Sequence, residues 1–240
     1  MTRIRRRGGL RVLDPTAFAR PAPVEAAGRS VSGTRDRLLD AAERLFAEKG
    51  LRGTSLREIV AAAGQRNESA IQYHFGDREG LVDALVARRV AAIETVRNAR
   101  LDALLARAPA PNVRALVACL LEPVVELCHD DSGFRAFLSA FGEVAWATAL
   151  QLARNRQQLR SLERMREQLR RSLDLPEAIL ADRAEALTRF LLLSLSQRAR
   201  SNEPFNGRGF ERFFTNLTDM GAAIITADVS PDTRAAYGAD

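Results

Sequence analysis

From Thr34 onward, apolar positions recur at helical spacing almost without a break. Leu38, Ala42, Leu45 and Phe46 fall at i, i+4, i+7 and i+8, with Arg, Asp and Glu on the opposite face. This pattern predicts an amphipathic helix that Thr34 caps and Gly50 stops. A second, short helix opens at "TSLRE", where Ser55 and Glu58 have the spacing of a capping box, and buries Leu56, Ile59, Val60 and Ala63 before Gly64. A third starts near Asn67, turns Ile71 and Phe75 inward, and ends at Gly76. Asp77 then caps a long helix that runs to about residue 107.

The rest of the chain keeps the same period. "NVRALVACLLEPVVELC" (112–128) is helical, with a kink or break expected at Pro123 because proline removes a backbone donor. "SGFRAFLSAFGEVAWATAL" follows, then the Arg-rich "ARNRQQLRSLERMREQLRRSL", closed by Pro176. "PEAILADRAEALTRFLLLSLSQRARS" and "GRGFERFFTNLTDMGAAIITA" form the last two helices, and the final dozen residues read as a frayed tail. Strand alternation is missing throughout, so the expected fold is all-α. Its parts are an arm over 1–33, a three-helix domain over 34–85, a larger helical domain over 86–226 and a tail over 227–240.

Charge sharpens this division. The net charge of the 240 residues is +6. Seven arginines against Asp14 and Glu25 give residues 1–33 a net of +5, so the basic character sits in the arm. Three prolines, several glycines and no sustained period predict an arm that is disordered in isolation. It either lies along phosphates, adding salt-sensitive and sequence-independent affinity, or is a solvated tail. No apolar run reaches the roughly 18 residues that span a bilayer, and "MTRIRRRGGLRVL" lacks the apolar segment of a secretory signal. A cytoplasmic protein with no membrane partner is expected. Cys119 and Cys128, about 13 Å apart along one helix, are beyond disulfide reach and fit a reducing compartment.

The stretch "AGQRNESAIQYHFGDREGL" (63–81) carries the polar chemistry. Two short helices separated by a glycine-containing turn, with a stabilising helix before them, are the parts of a helix-turn-helix. With Ile71 and Phe75 inward, Arg66, Asn67, Ser69, Gln72 and Tyr73 are left outside. Arg suits guanine O6/N7, Asn and Gln suit adenine N6/N7, and Ser and Tyr hydroxyls suit phosphates. Double-stranded DNA is the expected partner. Glu68 would repel phosphates unless it turns away or accepts from a cytosine amino group.

"TRDRLLDAAERLFAEKGLRGTSLREIVAAAG", "AIQYHF" and "GDREGLVDAL" together resemble the amino-terminal region of the TetR family of bacterial transcriptional regulators. The resemblance covers residues 34–85. It implies a homodimer with one helix-turn-helix per subunit on adjacent major grooves of a palindrome. It also implies a carboxy-terminal domain that binds a small-molecule effector and dimerises through its last two helices. Thr54, Ser55, His74 and Arg78 join the DNA-contacting set through this resemblance. Two positions depart from the family pattern: "QRNESA" is one residue longer than the usual turn, and Gln72 stands where a Tyr usually touches the DNA backbone.

Other groupings admit a plain and a functional reading. Glu126 and His129 form half of a di-iron carboxylate motif, which needs a second pair that a chain with two histidines does not supply; a helix-end polar pair is the plain reading, and no metal or cofactor is expected. No nucleophile motif or phosphate loop is present, so an enzyme is not expected. Phe134, Phe137, Phe141 and Trp146 are core at helical spacing, or line an apolar ligand cavity with Leu120, Leu127 and Met165. The Arg run at 154–171 is a solvated face or meets an anionic ligand group. Phe190, Leu192, Leu193, Phe210, Phe213, Phe214 and Leu217 exceed what one covering face requires and suit a four-helix dimer seam. The expected function is a repressor that an effector releases from a palindromic operator. The rival is a helical ligand-binding or enzymatic bundle with the helix-turn-helix as scaffold only.

Overall fold

A computed structural model describes residues 33–140 and 159–238, and among them every regular element is a helix. The head consists of α1 (Thr34–Gly53), α2 (Leu56–Ala62), α3 (Ser69–Phe75) and the first half of α4 (Arg78–Arg107). Leu38, Leu39, Phe46, Ile59, Ile71, Leu81 and Leu85 are each at most 1% exposed and form its core. α2 and α3 have seven residues each, too few to persist alone, so packing against α1 and α4 holds them.

Local chemistry fixes the ends of these helices. α1 bends at Gly50, where φ is +74°, a value that favours glycine, and continues for one more turn to Gly53. The expected stop is therefore a bend. Ser55 and Glu58 form the capping box: the Ser55 N–H donates to Glu58 Oε2 at 2.8 Å and the Glu58 N–H to Ser55 Oγ at 3.3 Å. Asp77 caps α4 by accepting from the Gly80 N–H at 2.8 Å.

α4 serves both halves of the molecule. Leu81, Val82, Leu85, Val86 and Val90 pack with the head, whereas Ile93, Leu101 and Leu104 pack with the body. The expected boundary at 85/86 thus falls inside one continuous helix, and the packing changes core between Val90 and Ile93. The body continues with α5 (Val113–Asp130), α6 (described over 132–140), α7 (Arg160–Ser172), α8 (Glu177–Arg200) and α9 (Gly207–Thr226). α5 runs through Pro123 as one helix, so of the expected kink or break the break does not occur. Its packing against α4 and α9 outweighs the lost hydrogen bond. At the junction of α5, α8 and α9, a Cβ on Gly221 would lie 2.8 Å from Val117 Cγ1 and 3.0 Å from Leu187 Cδ1, so any larger residue requires these side chains to move.

Residues 231–237 are helical as well. α10 (Pro231–Tyr237) replaces the expected frayed tail: Ser230 accepts from the Thr233 N–H at 3.2 Å, Pro231 starts the helix, and the Tyr237 hydroxyl donates to Asp182 of α8. A charged cluster ties head to body. Glu43 of α1, 7% exposed, accepts from both Arg88 and Arg89 of α4; Arg88 also meets Asp40 at 2.6 Å, and Arg89 meets Asp131 at 2.8 Å after α5. The Arg89 guanidinium lies 5.4 Å from the centroid of the Phe134 ring.

Candidate nucleic-acid interface

Ile71, at 1% exposure, plugs α3 into the head core, and the spacing of a helix then dictates what faces out. Ser69, Gln72 and Tyr73 lie at i, i+3 and i+4 on one exposed face, and Arg66 and Asn67 are exposed in the turn before it. Tyr73 is 84% exposed. Phe75 is half-buried, with the Arg35 guanidinium 5.2 Å from its ring centroid.

The lengthened turn has a specific structure. Gly64 takes φ +70°, the Gln65 N–H donates to the Val60 carbonyl at 2.9 Å, and Asn67 Oδ1 accepts from the Ser69 N–H at 3.0 Å. The Asn67 side chain therefore closes an Asx turn, and α3 begins at Ser69, two residues later than its expected start near Asn67. Asn67 Oδ1 is engaged, leaving the amide NH₂ as donor for a base or phosphate acceptor. Glu68 is exposed at the cap position and makes no capping bond.

Two residues of the expected DNA-contacting set make bonds within the scaffold. Thr54 is 3% exposed, and its hydroxyl donates to the carbonyls of Leu45 (3.1 Å) and Gly50 (3.0 Å), which face it because α1 bends there. Arg78 is half-buried: its guanidinium donates to the Leu51 carbonyl and lies 5.4 Å from the Phe46 ring centroid. Ser55 is exposed, but the capping box uses its hydroxyl. His74 is half-buried and edge-on to Tyr73, with centroids 4.9 Å apart. Sequence reasoning passed over Arg52 and Arg57, both exposed on either side of the Thr54–Ser55 turn. Their signal was the placement of cations in the last turn of α1 and the first turn of α2. Nearby, Lys49 meets Glu58 at 2.6 Å; this hydrogen bond, followed by those from Ser55, lowers the Glu58 carboxyl to about 2.

The described residues proposed from sequence for a ligand cavity are divided between the two cores, with the Phe134 and Phe137 ring centroids 5.9 Å apart. Phe134 and Met165 are buried in the body core, with Leu120 and Leu127 packed against it, whereas Phe137 joins the head core. Phe141 and Trp146 lie outside the described residues. Of the expected dimer residues, Phe210 (9% exposed) and Leu217 (3%) point into the body, because the amphipathic stripe of α9 faces α5 and α8. Phe190, Phe213 and Phe214 are half-buried, as is Leu192, while Leu193 is exposed. Met220 is exposed too, and the sequence reading omitted it. Glu126 meets Arg100 at 2.6 Å, and His129 meets its neighbour Asp130 at 2.8 Å. Cys119 and Cys128 are free and buried; burial pushes their thiols up to about 11 and about 12.

A head of three helices that displays a polar two-turn helix, continuous through α4 with an all-α body, defines the helix-turn-helix class. The chain belongs to the TetR family of bacterial regulatory proteins. Residues 38–85 match the model of that family, described as "Bacterial regulatory proteins, tetR family". The transcriptional repressor Rv1474c of Mycobacterium tuberculosis is 30% identical over 130 residues, which cover 53% of this chain and 68% of that protein. The repressor KstR2 of Rhodococcus jostii is 47% identical over 55 residues, spanning 23% of this chain and only 26% of the relative. A Shewanella structure assigned to the tetR family of transcription regulators superposes with a TM-score of 0.55 at 16% identity, covering 80% of this chain and 96% of that one. At that identity the agreement is one of fold. No helix among the described residues is long and apolar enough to cross a membrane.

Proposed function

We propose that the chain is a cytoplasmic, homodimeric, DNA-binding transcriptional repressor that a small-molecule effector releases from a palindromic operator. The observation that carries this reading is the exposed face of α3, where Ser69, Gln72 and Tyr73 project from a helix anchored by Ile71. Gln72 is the base-reading residue, Tyr73 and Ser69 bind phosphates, and Arg66, Arg52 and Arg57 supply cationic contacts around them. The repressors named among its relatives support the same reading.

Two subunits place their α3 helices in major grooves roughly 34 Å apart. The seam between subunits uses the outer sides of α8 and α9, where Leu193 and Met220 are 39% and 45% exposed beside half-buried Phe190. An effector in the body favours a conformation whose helix spacing no longer fits consecutive grooves, so release is a difference in effector affinity between two states. Selection from a random duplex library with the purified full chain tests the proposal. Enrichment of a palindrome with half-sites about one helical turn apart is the expected result. A pool without sequence preference at any salt concentration overturns it.

A further inference from the structure

Arg97 lies on the inner face of α4, 8% exposed, in the interior of the body. Its Nη1 is 3.4 Å from Ser161 Oγ and 3.6 Å from Glu94 Oε2, both long contacts. Its Nε is buried with no hydrogen-bond partner among the described residues. Glu94 is satisfied without it: the carboxylate accepts from the Ser161 N–H at 2.6 Å, from Ser161 Oγ at 2.5 Å and from Asn98 Nδ2 at 2.8 Å. Arg97 is thus not the necessary counterion of Glu94. Burial pushes its guanidinium below the ordinary value, and Glu94 opposes that only in part. A guanidinium is costly to desolvate unless its donors are matched, so one left with an open edge points to an acceptor that comes from outside the chain.

The surroundings define that acceptor. One turn along α4 from Arg97 is Leu101, at 0% exposure, and one turn along α7 from Ser161 is Met165, at 6%. Cys119 of α5 belongs to the same apolar cluster. On the solvent side of the α4–α7 seam, Asn98, Asp102, Arg160 and Arg164 line an open cleft of about 360 Å³. Asn98 adjoins Arg97 and Arg160 adjoins Ser161 in the chain, although Arg97 itself does not line the cleft. The open edge of a guanidinium matches a planar carboxylate with two parallel N–H···O bonds. Glu94 already stands beside it, which suits a ligand with one negative charge and disfavours a doubly charged phosphate.

We propose that Arg97 anchors the carboxylate of an apolar small-molecule acid bound in the α4–α7 seam, with the apolar part of the acid lying toward Leu101 and Met165. This deepens the functional reading above and rests on its assignment of the body as the effector-binding part. Seating the acid parts Ser161 from Arg97, and α4 carries the change toward Leu81 and Leu85, which support α3.

Calorimetric titration of the full chain with sodium octanoate and with 1-octanol, on wild type, Arg97→Met and Arg97→Lys, tests the proposal. Octanoate binds wild type saturably, Arg97→Met at least tenfold more weakly and Arg97→Lys at least threefold more weakly, because lysine keeps the charge but lacks the planar edge. Octanol does not distinguish the three proteins. Without ligand, the thermal midpoint of Arg97→Met equals or exceeds that of wild type, since Glu94 keeps its partners. Failure of octanoate to bind wild type, unchanged affinity in either variant, or a midpoint of Arg97→Met lowered by several degrees each overturns the assignment. The titration needs no DNA, so a lack of duplex preference in the library selection would remove the repressor reading and leave the Arg97 result standing.

Discussion

A hydroxyl at position 54 has two carbonyls within reach and is shut off from solvent, which decides between stabilising the head and touching a phosphate. Thr54→Val keeps the shape but leaves the Leu45 and Gly50 carbonyls without that donor, a loss of about 1–3 kcal/mol in a chemical-denaturation midpoint analysis. A Thr54→Val protein as stable as wild type would return the hydroxyl to the DNA-contacting set. Glu58 offers a pH test at the same scale. Its carboxyl is lowered from 4.5 to about 2 in the folded chain, chiefly by the Lys49 hydrogen bond. Its contribution is therefore fully present above pH 4.5 and fades as pH falls toward 2. Thermal melts of wild type and Glu58→Gln should differ most near neutral pH and converge on acidification. The pair is exposed, so the difference is small and shrinks with salt. A gap that widens in acid would contradict the assigned capping box.

At the scale of elements, Gly221 controls how closely α5, α8 and α9 approach. Gly221→Val places methyl groups where Val117 and Leu187 already stand, so it should destabilise the body by about 1–3 kcal/mol despite valine's better helix propensity. A thermal midpoint equal to or above wild type would show that the three helices can spread. The same scale shows what sequence could and could not reveal. The start of α2 was legible to the residue, because Ser55 and Glu58 state it in chemical terms. α3 was legible in type and face, since Ile71 fixes its rotation, but its start was displaced by the Asx turn at Asn67, a bond between neighbours that periodicity does not register. A break at Pro123 does not occur, because local propensity is blind to the flanking helices packed on α5. α10 was under-read: Ser230, Pro231 and Asp232 spell a helix start that its lack of buried residues concealed. Phe210 and Leu217 went inward because an apolar excess in sequence does not say which helix face meets the body and which meets a second subunit.

For the whole molecule, the seam proposed on α8 and α9 is tested by its exposed apolar side chain. Leu193→Glu leaves the body core intact, since residue 193 is exposed, and should yield monomers in sedimentation velocity while far-UV circular dichroism stays that of wild type. A dimer that persists at micromolar concentration would relocate the seam. The reading head is in turn fastened to the body by Glu43, Arg88, Arg89 and Asp131, and by the packing of one helix, α4, in two cores. The seam between α4 and α7 and the packing under α3 therefore share one continuous helix, α4. In the proposed function, α3 reads base pairs with Gln72. Anisotropy titrations of wild type and Gln72→Ala against point variants of the selected palindrome measure this most directly. Wild type should discriminate by about 1–3 kcal/mol at the base pair Gln72 contacts, and Gln72→Ala should lose that discrimination while remaining a dimer. Identical preferences in the two proteins at every position would contradict the account.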